Sequence, residues 1–300
     1  MAGYLFTHFI GEQKDGEQVY MAVSRDGLHW QDLSETPILR SSVGMQGVRD
    51  TFPVRDPETG KVYIIATDLR IEAGLGWGAA QFEGSRDLVV WESDDLIHWS
   101  REWAVTVGVP EAGCVWAPEA VYDEEKKEFF VFFASMVKSE GAEHPKQRIF
   151  GAYTKDFRQF SQTFQYIERD NHIIDTTILW HNGRYYRFSK DEVTKRIIME
   201  VSDSLQGDFE LVKSEVLEGL EWVEGPEGYL LPDGETWCLM VDCFGAGTGY
   251  LPMTTPSIGA VDFTVLKPDQ YDFDKMKKRH GGVISITDEE YERLMAHFGK

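Results

Sequence analysis

The sequence predicts an all-β protein: a five-bladed β-propeller closed by its own N- and C-terminal segments, with a short C-terminal helix. Three observations carry that expectation. A turn phrase recurs along the chain, two further kinds of β-rich run precede it in a fixed order, and the chain ends supply strands for one unit that is otherwise incomplete. The phrase is a β-rich run followed by Ser or Thr, an acidic residue, a hydrophobe and an aromatic. It occurs as VYMAVSRDGLHW (19–30), LVVWESDDLIHW (88–99), IFGAYTKDFRQF (149–160) and IIMEVSDSLQGDF (197–209), with a weaker copy in YLPMTTPSIGAVDF (250–263). The closing aromatics lie 49 to 69 residues apart, which suits four-stranded blades carrying loop insertions.

Ahead of four of these phrases stand GKVYIIATD (60–68), KKEFFVFFAS (126–135), NGRYYRFSKD (182–191) and GETWCLMVD (234–242). They open on turn residues and continue as aromatic and β-branched stretches without clean polar alternation, as expected of strands buried on both faces. Earlier still come VRDTFPVRD (48–56), VWAPEAVYD (115–123), IIDTTILWH (173–181) and VEGPEGYLLPD (223–233), read as innermost strands. In three of them an acidic residue, Asp56, Asp123 or Asp233, closes the run as a turn-former.

Four units are thus complete, and the ends hold a fifth. AGYLFTHFIGE and EQVYMAVSRDGLHW supply its middle and outer strands, and RHGGVISIT (279–287) its inner one. The last segment, DEEYERLMAHFGK, reads as an amphipathic helix with Asp288 near its cap and Tyr291, Leu294, Met295 and Phe298 on one face. No linker or low-complexity stretch divides the chain, so residues 1–300 are expected to form a single domain.

Composition narrows the class of partner. With 42% hydrophobic and 13% aromatic residues the chain can bury a sizeable core. A formal charge of −21 repels phosphate backbones and anionic lipid, which argues against a nucleic-acid or membrane role and leaves a neutral small molecule as a fitting partner. Cys114, Cys238 and Cys243 stand at no metal-ligand spacing and read as buried thiols. There is no basic n-region with an apolar h-region and no apolar run long enough to span a membrane, so the protein is expected to be cytoplasmic unless a signal peptide has been removed. Oligomeric state is not readable from the sequence.

In a propeller the inner strands meet at one mouth of the central channel. Their openings here carry Asp50, Glu119, Asp175, Glu224 and His280. Unpartnered buried carboxylates are costly, so four at equivalent positions point to a site. Carboxylates beside tryptophans, without a phosphate loop, a His/Cys metal box or a G-x-S-x-G elbow, fit glycoside hydrolysis. That reaction needs one carboxylic acid to protonate the leaving oxygen and one carboxylate to act on the opposite face of the sugar.

Over essentially its whole length the chain resembles the five-bladed propeller enzymes of glycoside hydrolase family 43, the arabinofuranosidases, xylosidases and arabinanases. VRDTFPVRD places Asp50 where the resemblance implies a general base, with Thr51 in place of the usual proline. VWAPEAVYD carries the Trp-Ala-Pro motif, so Trp116 is implied to border the sugar pocket. Asp175 in IIDTTILWH is implied to raise and orient the acid, and Glu-Gly-Pro, unchanged at residues 224 to 226, makes Glu224 the implied proton donor. On this reading Asp175 disfavours ionisation of Glu224 by like-charge repulsion, and Asp50 stays ionised to activate water. The resemblance implies inversion, with the Asp50 and Glu224 carboxyls roughly 6.5 to 9.5 Å apart.

Around this trio, Glu119 and Arg279 are candidates to bind sugar or to serve structure, and Trp77, in the Gly-rich insertion EAGLGWGAAQFEG (72–84), is either a wall of the mouth or part of an ordinary surface loop. His280 fits a satisfied core histidine or a ligand in the channel; no cofactor is required, and the resemblance allows a calcium ion in the axis. The leading expectation is an exo-acting hydrolase releasing a terminal pentose, foremost α-L-arabinofuranose, from plant-type oligosaccharides. β-Xylosidase and galactofuranosidase are the alternatives within the family, and a non-catalytic carbohydrate-binding propeller is the alternative outside it.

Overall fold

The computed structural model describes residues 3–138 and 141–299. The first three strands, β1 (Gly3–Phe9), β2 (Tyr20–Ser24) and β3 (Trp30–Asp32), pair in order as an antiparallel meander. A four-stranded antiparallel group follows: β4 (Val48–Arg55), β5 (Val62–Asp68), β6 (Asp87–Ser93) and β7 (Trp103–Thr106). The next group is β8 (Trp116–Asp123), β9 (Glu128–Val137), β10 (Lys146–Thr154) and β11 (Phe164–Ile167). After it come β12 (Ile173–His181), β13 (Arg184–Asp191), β14 (Arg196–Ser202) and β15 (Glu210–Val212). A further four strands are β16 (Glu224–Leu230), β17 (Trp237–Asp242), β18 (Tyr250–Thr255) and β19 (Thr264–Val265). Finally β20 (Arg279–Ile286), from the other end of the chain, pairs antiparallel with β1 and completes the first meander.

The protein is therefore all-β, built of four-stranded antiparallel arrays. Two of these arrays join as one eight-stranded sheet through a single parallel bridge between Gly281 of β20 and Thr51 of β4. The leading strands pack side by side: β4 beside β8, β8 beside β12, β12 beside β16, β16 beside β20, and β20 beside β4.

Strand β9 shows how the arrays are held together. Phe129, Val131 and Phe133 pack with Val54, Ile65 and Val90, whereas Phe130, Phe132 and Ala134 pack with Ile173, Ile174 and Ile178. Side chains alternate across a strand with period two, so one aromatic run feeds the cores on both of its faces. That is why the second strands show no polar alternation in the sequence.

The recurring turn phrase is a hydrogen-bonded turn. Ser24 Oγ accepts from Gly27 N, Ser93 Oγ from Leu96 N, and Thr154 Oγ1 from Phe157 N. Two residues after each, Asp26, Asp95 and Asp156 accept from the next backbone amides of their turns. The spacing of hydroxyl and carboxylate thus writes the corner into the sequence. Asp56, Asp123 and Asp233 likewise accept backbone amides two residues on, as expected of turn-formers.

Among the described residues there are three helices: α1 (Trp77–Phe82) and α2 (Glu215–Gly219) lie between strands, and α3 (Asp288–Phe298) follows the last strand. The Gly-rich insertion at 72–84 contains α1. The C-terminal helix is capped by Thr287 in a reciprocal box with Glu290, one residue before the predicted Asp288, and it lays Leu294, with Tyr291, Met295 and Phe298, onto the core of the first array. No described helix is long and apolar enough to cross a membrane. Cys114 and Cys238 are buried thiols, whereas Cys243 is only partly covered.

Candidate active site

The same irregularity opens every leading strand. Arg49 pairs with Thr67 and Phe52 with Ile65, so β4 spends one more residue than β5 over that interval. The pattern repeats between Trp116 and Glu119, between Ile174 and Thr176, between Glu224 and Glu227, and between Arg279 and Gly282. Each is a β-bulge, which bends its strand and re-aims the side chains at that point. Asp50, Ala117, Asp175 and Gly225 sit at the bulges with φ of 50°, 47°, 48° and 50°. A left-handed conformation is uncommon for residues other than glycine, with Asp among the tolerant types, and such strain gathers at functional sites. Only glycine fits at 225, because a Cβ there would lie 2.6 Å from His280 Cγ.

Register sorts the side chains into layers. Arg49, Trp116, Ile174, Glu224 and Arg279 occupy the position before the extra residue; Asp50, Asp175 and His280 occupy the next. All eight line one cavity of about 440 Å³, joined by Trp77, Lys190, Glu192 and Phe244, among others. That volume is within the roughly 300 to 1,000 Å³ typical of small-molecule sites.

Glu119 belongs elsewhere, which corrects the sequence reading. It lies three positions further along its strand, as Glu227 does along β16, and both are buried outside the cavity lining. The four carboxylates read as equivalent fall at three positions relative to the bulge: Glu224 before the extra residue, Asp50 and Asp175 at the next position, and Glu119 beyond it. Burial first, and then the charge of Glu227, push Glu119 well above the ordinary carboxylate range; burial raises Glu227 to about 8 against the Val283 amide it accepts from. Both are pushed toward the neutral form, and neither lines the cavity.

In the layer shared by Asp50, Asp175 and His280, His280 Nδ1 stands 3.4 Å from Asp50 Oδ1 and 3.9 Å from Asp175 Oδ2. Burial opposes its charge, but Asp175, Asp50 and Glu119 together raise it to about 10. Its Nδ1 is engaged with the Asp50 and Asp175 carboxylates. Among the described residues no group of three or more His, Cys, Asp or Glu side chains could hold a metal ion. Burial would raise Asp50; the His280 hydrogen bond and charge, Arg49 and the Thr67 hydroxyl at 2.8 Å more than offset it and hold Asp50 below its usual value. Asp175 ends on the other side, raised to about 6 by burial, with His280 and Lys190 opposing and Glu224 and Asp50 adding.

Glu224 departs from the expectation of a raised acid. Its Oε2 accepts from Lys190 Nζ at 2.8 Å and its Oε1 from Arg279 Nη2 at 3.0 Å. Burial favours the neutral form, yet Lys190, Arg279 and His280 outweigh it, and the carboxyl lies below its ordinary value. Two cations within hydrogen-bonding distance dominate the repulsion from Asp175. Arg279 is in turn fixed through Nε by Asp242 Oδ2 at 2.6 Å.

The structure brings Asp50, Asp175, Glu224, His280, Trp116, Trp77 and Arg279 together and leaves Glu119 out. Trp77 and Trp116 meet edge to face with ring centroids 6.0 Å apart. Lys190, Asp242 and Phe244 escaped the sequence reading. The signal was present in the polar residues closing apolar second runs, SKD at 189–191 and MVD at 240–242. Those positions reach across to the next array: Thr67 accepts from Ala117 N, Lys190 meets Glu224, and Asp242 meets Arg279.

Known proteins resemble this chain in sequence and in fold. A family model for family 43-related glycosyl hydrolases, described as "Probable glycosyl hydrolase domain", matches residues 1–292. An α-L-arabinofuranosidase of Bifidobacterium longum subsp. longum is 30% identical over 211 residues, which is 63% of this chain and spans 20% of that relative. An endo-1,4-β-xylanase from Bacteroides thetaiotaomicron superposes with a TM-score of 0.62 at 15% identity, over 89% of this chain and 91% of that one. The family 93 α-L-arabinofuranosidase of Fusarium graminearum, solved with arabinobiose, does so with a TM-score of 0.57 at 13% identity, over 94% and 81%. At those identities the likeness to solved structures is one of fold. Because the family model runs through nearly the whole chain, this protein belongs to the family 43-related glycosyl hydrolases.

Proposed function

We propose that the chain is a single-domain, five-bladed β-propeller that acts as an inverting exo-glycosidase, releasing a terminal pentose, foremost α-L-arabinofuranose, from an oligosaccharide. The cyclic neighbour order of the five leading strands supports the architecture. One observation carries the chemistry: Asp50 and Glu224 face the same cavity and keep some solvent contact, with side chains 14% and 17% exposed, while Asp175 and His280 lie deeper at 8% and 6%. Two carboxylates can thus reach a sugar, and the other pair holds them.

Asp50 is the general base. It is ionised, held by His280, Thr67 and its bulge, and it takes a proton from water as that water attacks the anomeric carbon. Glu224 gives a proton to the glycosidic oxygen as the bond breaks, and Arg279 binds sugar hydroxyls as well as Glu224. Asp175 orients Gly225 by accepting its amide at 3.2 Å, which fixes the strand that carries Glu224. Lys190 and Arg279 hold Glu224 below its ordinary value in the free site, so it takes up its proton from solvent as the substrate binds and draws off the hydrogen bonds of Arg279 and Lys190. The preference for arabinose rests on the relative from Bifidobacterium longum.

Nitrophenyl α-L-arabinofuranoside, β-D-xyloside and β-D-galactofuranoside, assayed with wild type and Asp50→Asn, test this reading. Arabinoside turnover that collapses in the variant, with the inverted anomer seen first by proton NMR, is the expected result. A retained anomer contradicts inversion. Tight oligosaccharide binding without turnover of any glycoside identifies a binding propeller instead.

A further inference from the structure

Two residues before Glu224, Trp222 holds a large ring in solvent at 55% exposure, on a backbone with φ of 59°. For a bulky residue both features are costly: the left-handed backbone is strained, and the exposed ring forgoes the burial it would gain in a core. Neither is accidental, because the surroundings are shaped for them. Gly245 N donates to Trp222 O at 3.2 Å, and a Cβ on Gly245 would fall 2.4 Å from Trp222 Cβ. The Trp222 ring also meets Phe244 edge to face, 6.1 Å between centroids.

Phe244 lines the cavity, and Lys190 Nζ lies 4.3 Å from its ring centre while bonding Glu224. Glu224, Lys190, Phe244 and Trp222 therefore form one continuous wall leading outward from the carboxyl. Trp222 itself stands just outside the cavity lining, behind Phe244, whereas the exposed ring within the lining, Trp77, stands with Trp116 on the first two four-stranded arrays after β3, which reach the β16 array only through others. The mouth thus has aromatic lips on separate arrays.

We propose that Trp222, backed by Phe244, is the platform for the sugar ring on the leaving-group side of the scissile bond, so that the enzyme takes an oligosaccharide whose second residue stacks on this lip. The occupant follows from position. A proton donor marks the leaving-group side of a glycosidase cleft, and Trp222 adjoins the proposed donor. The apolar C–H face of a neutral sugar packs on an indole without a charge partner, and an exposed aromatic ring bordering a polar cavity is the surface that such a ligand covers. Binding energy gained there, away from the reacting carbon, is available to lower the barrier as well as KM. The inference rests on the donor role of Glu224.

The test compares an oligosaccharide with the glycosyl fluoride of the same terminal sugar, whose leaving group carries no ring, in wild type, Trp222→Ala, Trp222→Phe and Gly245→Ala. Trp222→Ala is expected to lose kcat/KM on the oligosaccharide by about tenfold or more beyond its loss on the fluoride, equivalent to 1.36 kcal/mol per tenfold. Trp222→Phe should restore most of that difference, and Gly245→Ala, which displaces the ring, should reproduce part of it. Equal losses on both substrates overturn the proposal, because they mark a general disturbance of the site. A wild type that cleaves neither substrate overturns the glycosidase reading instead. Oligosaccharide binding to Glu224→Gln by calorimetry gives a readout independent of turnover, and no weakening on adding Trp222→Ala also overturns the proposal.

Discussion

Beside Glu224 stands Lys190, almost wholly buried, with its ammonium 2.8 Å from Glu224 Oε2 and 2.8 Å from Glu192 Oε2. Its pairing with Glu224 gives the proposed acid a low pKa in the free enzyme and so determines the sign of a pH effect. Since kcat/KM reports the free enzyme, activity on a substrate that needs protonation should fall as pH rises through the Glu224 value. Lys190→Met removes one cation, leaving Arg279 and His280 facing Glu224 against Asp175 and Asp242; the Glu224 pKa rises and the high-pH limb moves upward. A shift of about one unit or more is expected, within the 1 to 3 units a neighbouring charge imposes on a carboxylate. A limb that stays in place assigns the titration to another group. Asp50, Asp175 and Glu224 were legible in the sequence because a carboxylate opening an apolar run is conspicuous. Lys190 was not, because its effect depends on the packing of two separate arrays that brings β13 against the start of β16.

At the scale of the strand, the bulge is the unit that makes the site. It places Asp50 and Asp175 in left-handed backbone and turns Glu224 and Arg279 toward the cavity, and the sequence does not announce it. The extra residue is a count against a partner strand, visible only once register is known, so Glu119 was grouped with residues of another layer. Gly225→Ala is expected to cost activity more than fold: its Cβ would press on His280, and the strain is on the order of 1 to 3 kcal/mol. Circular dichroism near wild type with kcat/KM down about a hundredfold or more is the predicted pair of results, taking general-base loss at about 10²–10⁴-fold as the scale. The turn phrases, by contrast, were fully readable, since hydroxyl and carboxylate spacing alone forms the hydrogen bonds. Ser93→Ala removes the acceptor for the buried Leu96 amide and should cost about 1 to 3 kcal/mol in a denaturant titration.

For the whole molecule, the pairing of β20 with β1 ties the chain ends into one array and sets Arg279 and His280 beside Asp50 and Glu224. A chain lacking residues 279–300 loses the strand between β1 and β4 and is expected to show no cooperative unfolding transition; a cooperative transition near that of the full chain would show that the β20 array is dispensable. The pairing was legible because RHGGVISIT has the length and β-branching of a missing inner strand. The charges that meet there were not, since Arg279 and Asp242 come together only across two arrays. The central claim is that Glu224 protonates a leaving oxygen in this cavity. The most direct test is the leaving-group dependence of Glu224→Gln, comparing an oligosaccharide with the 2,4-dinitrophenyl glycoside of the same sugar. The account predicts a loss in kcat/KM of about 10²–10⁴-fold on the oligosaccharide and a far smaller one on the dinitrophenyl substrate, whose phenolate departs without a proton. Equal losses on the two would contradict it.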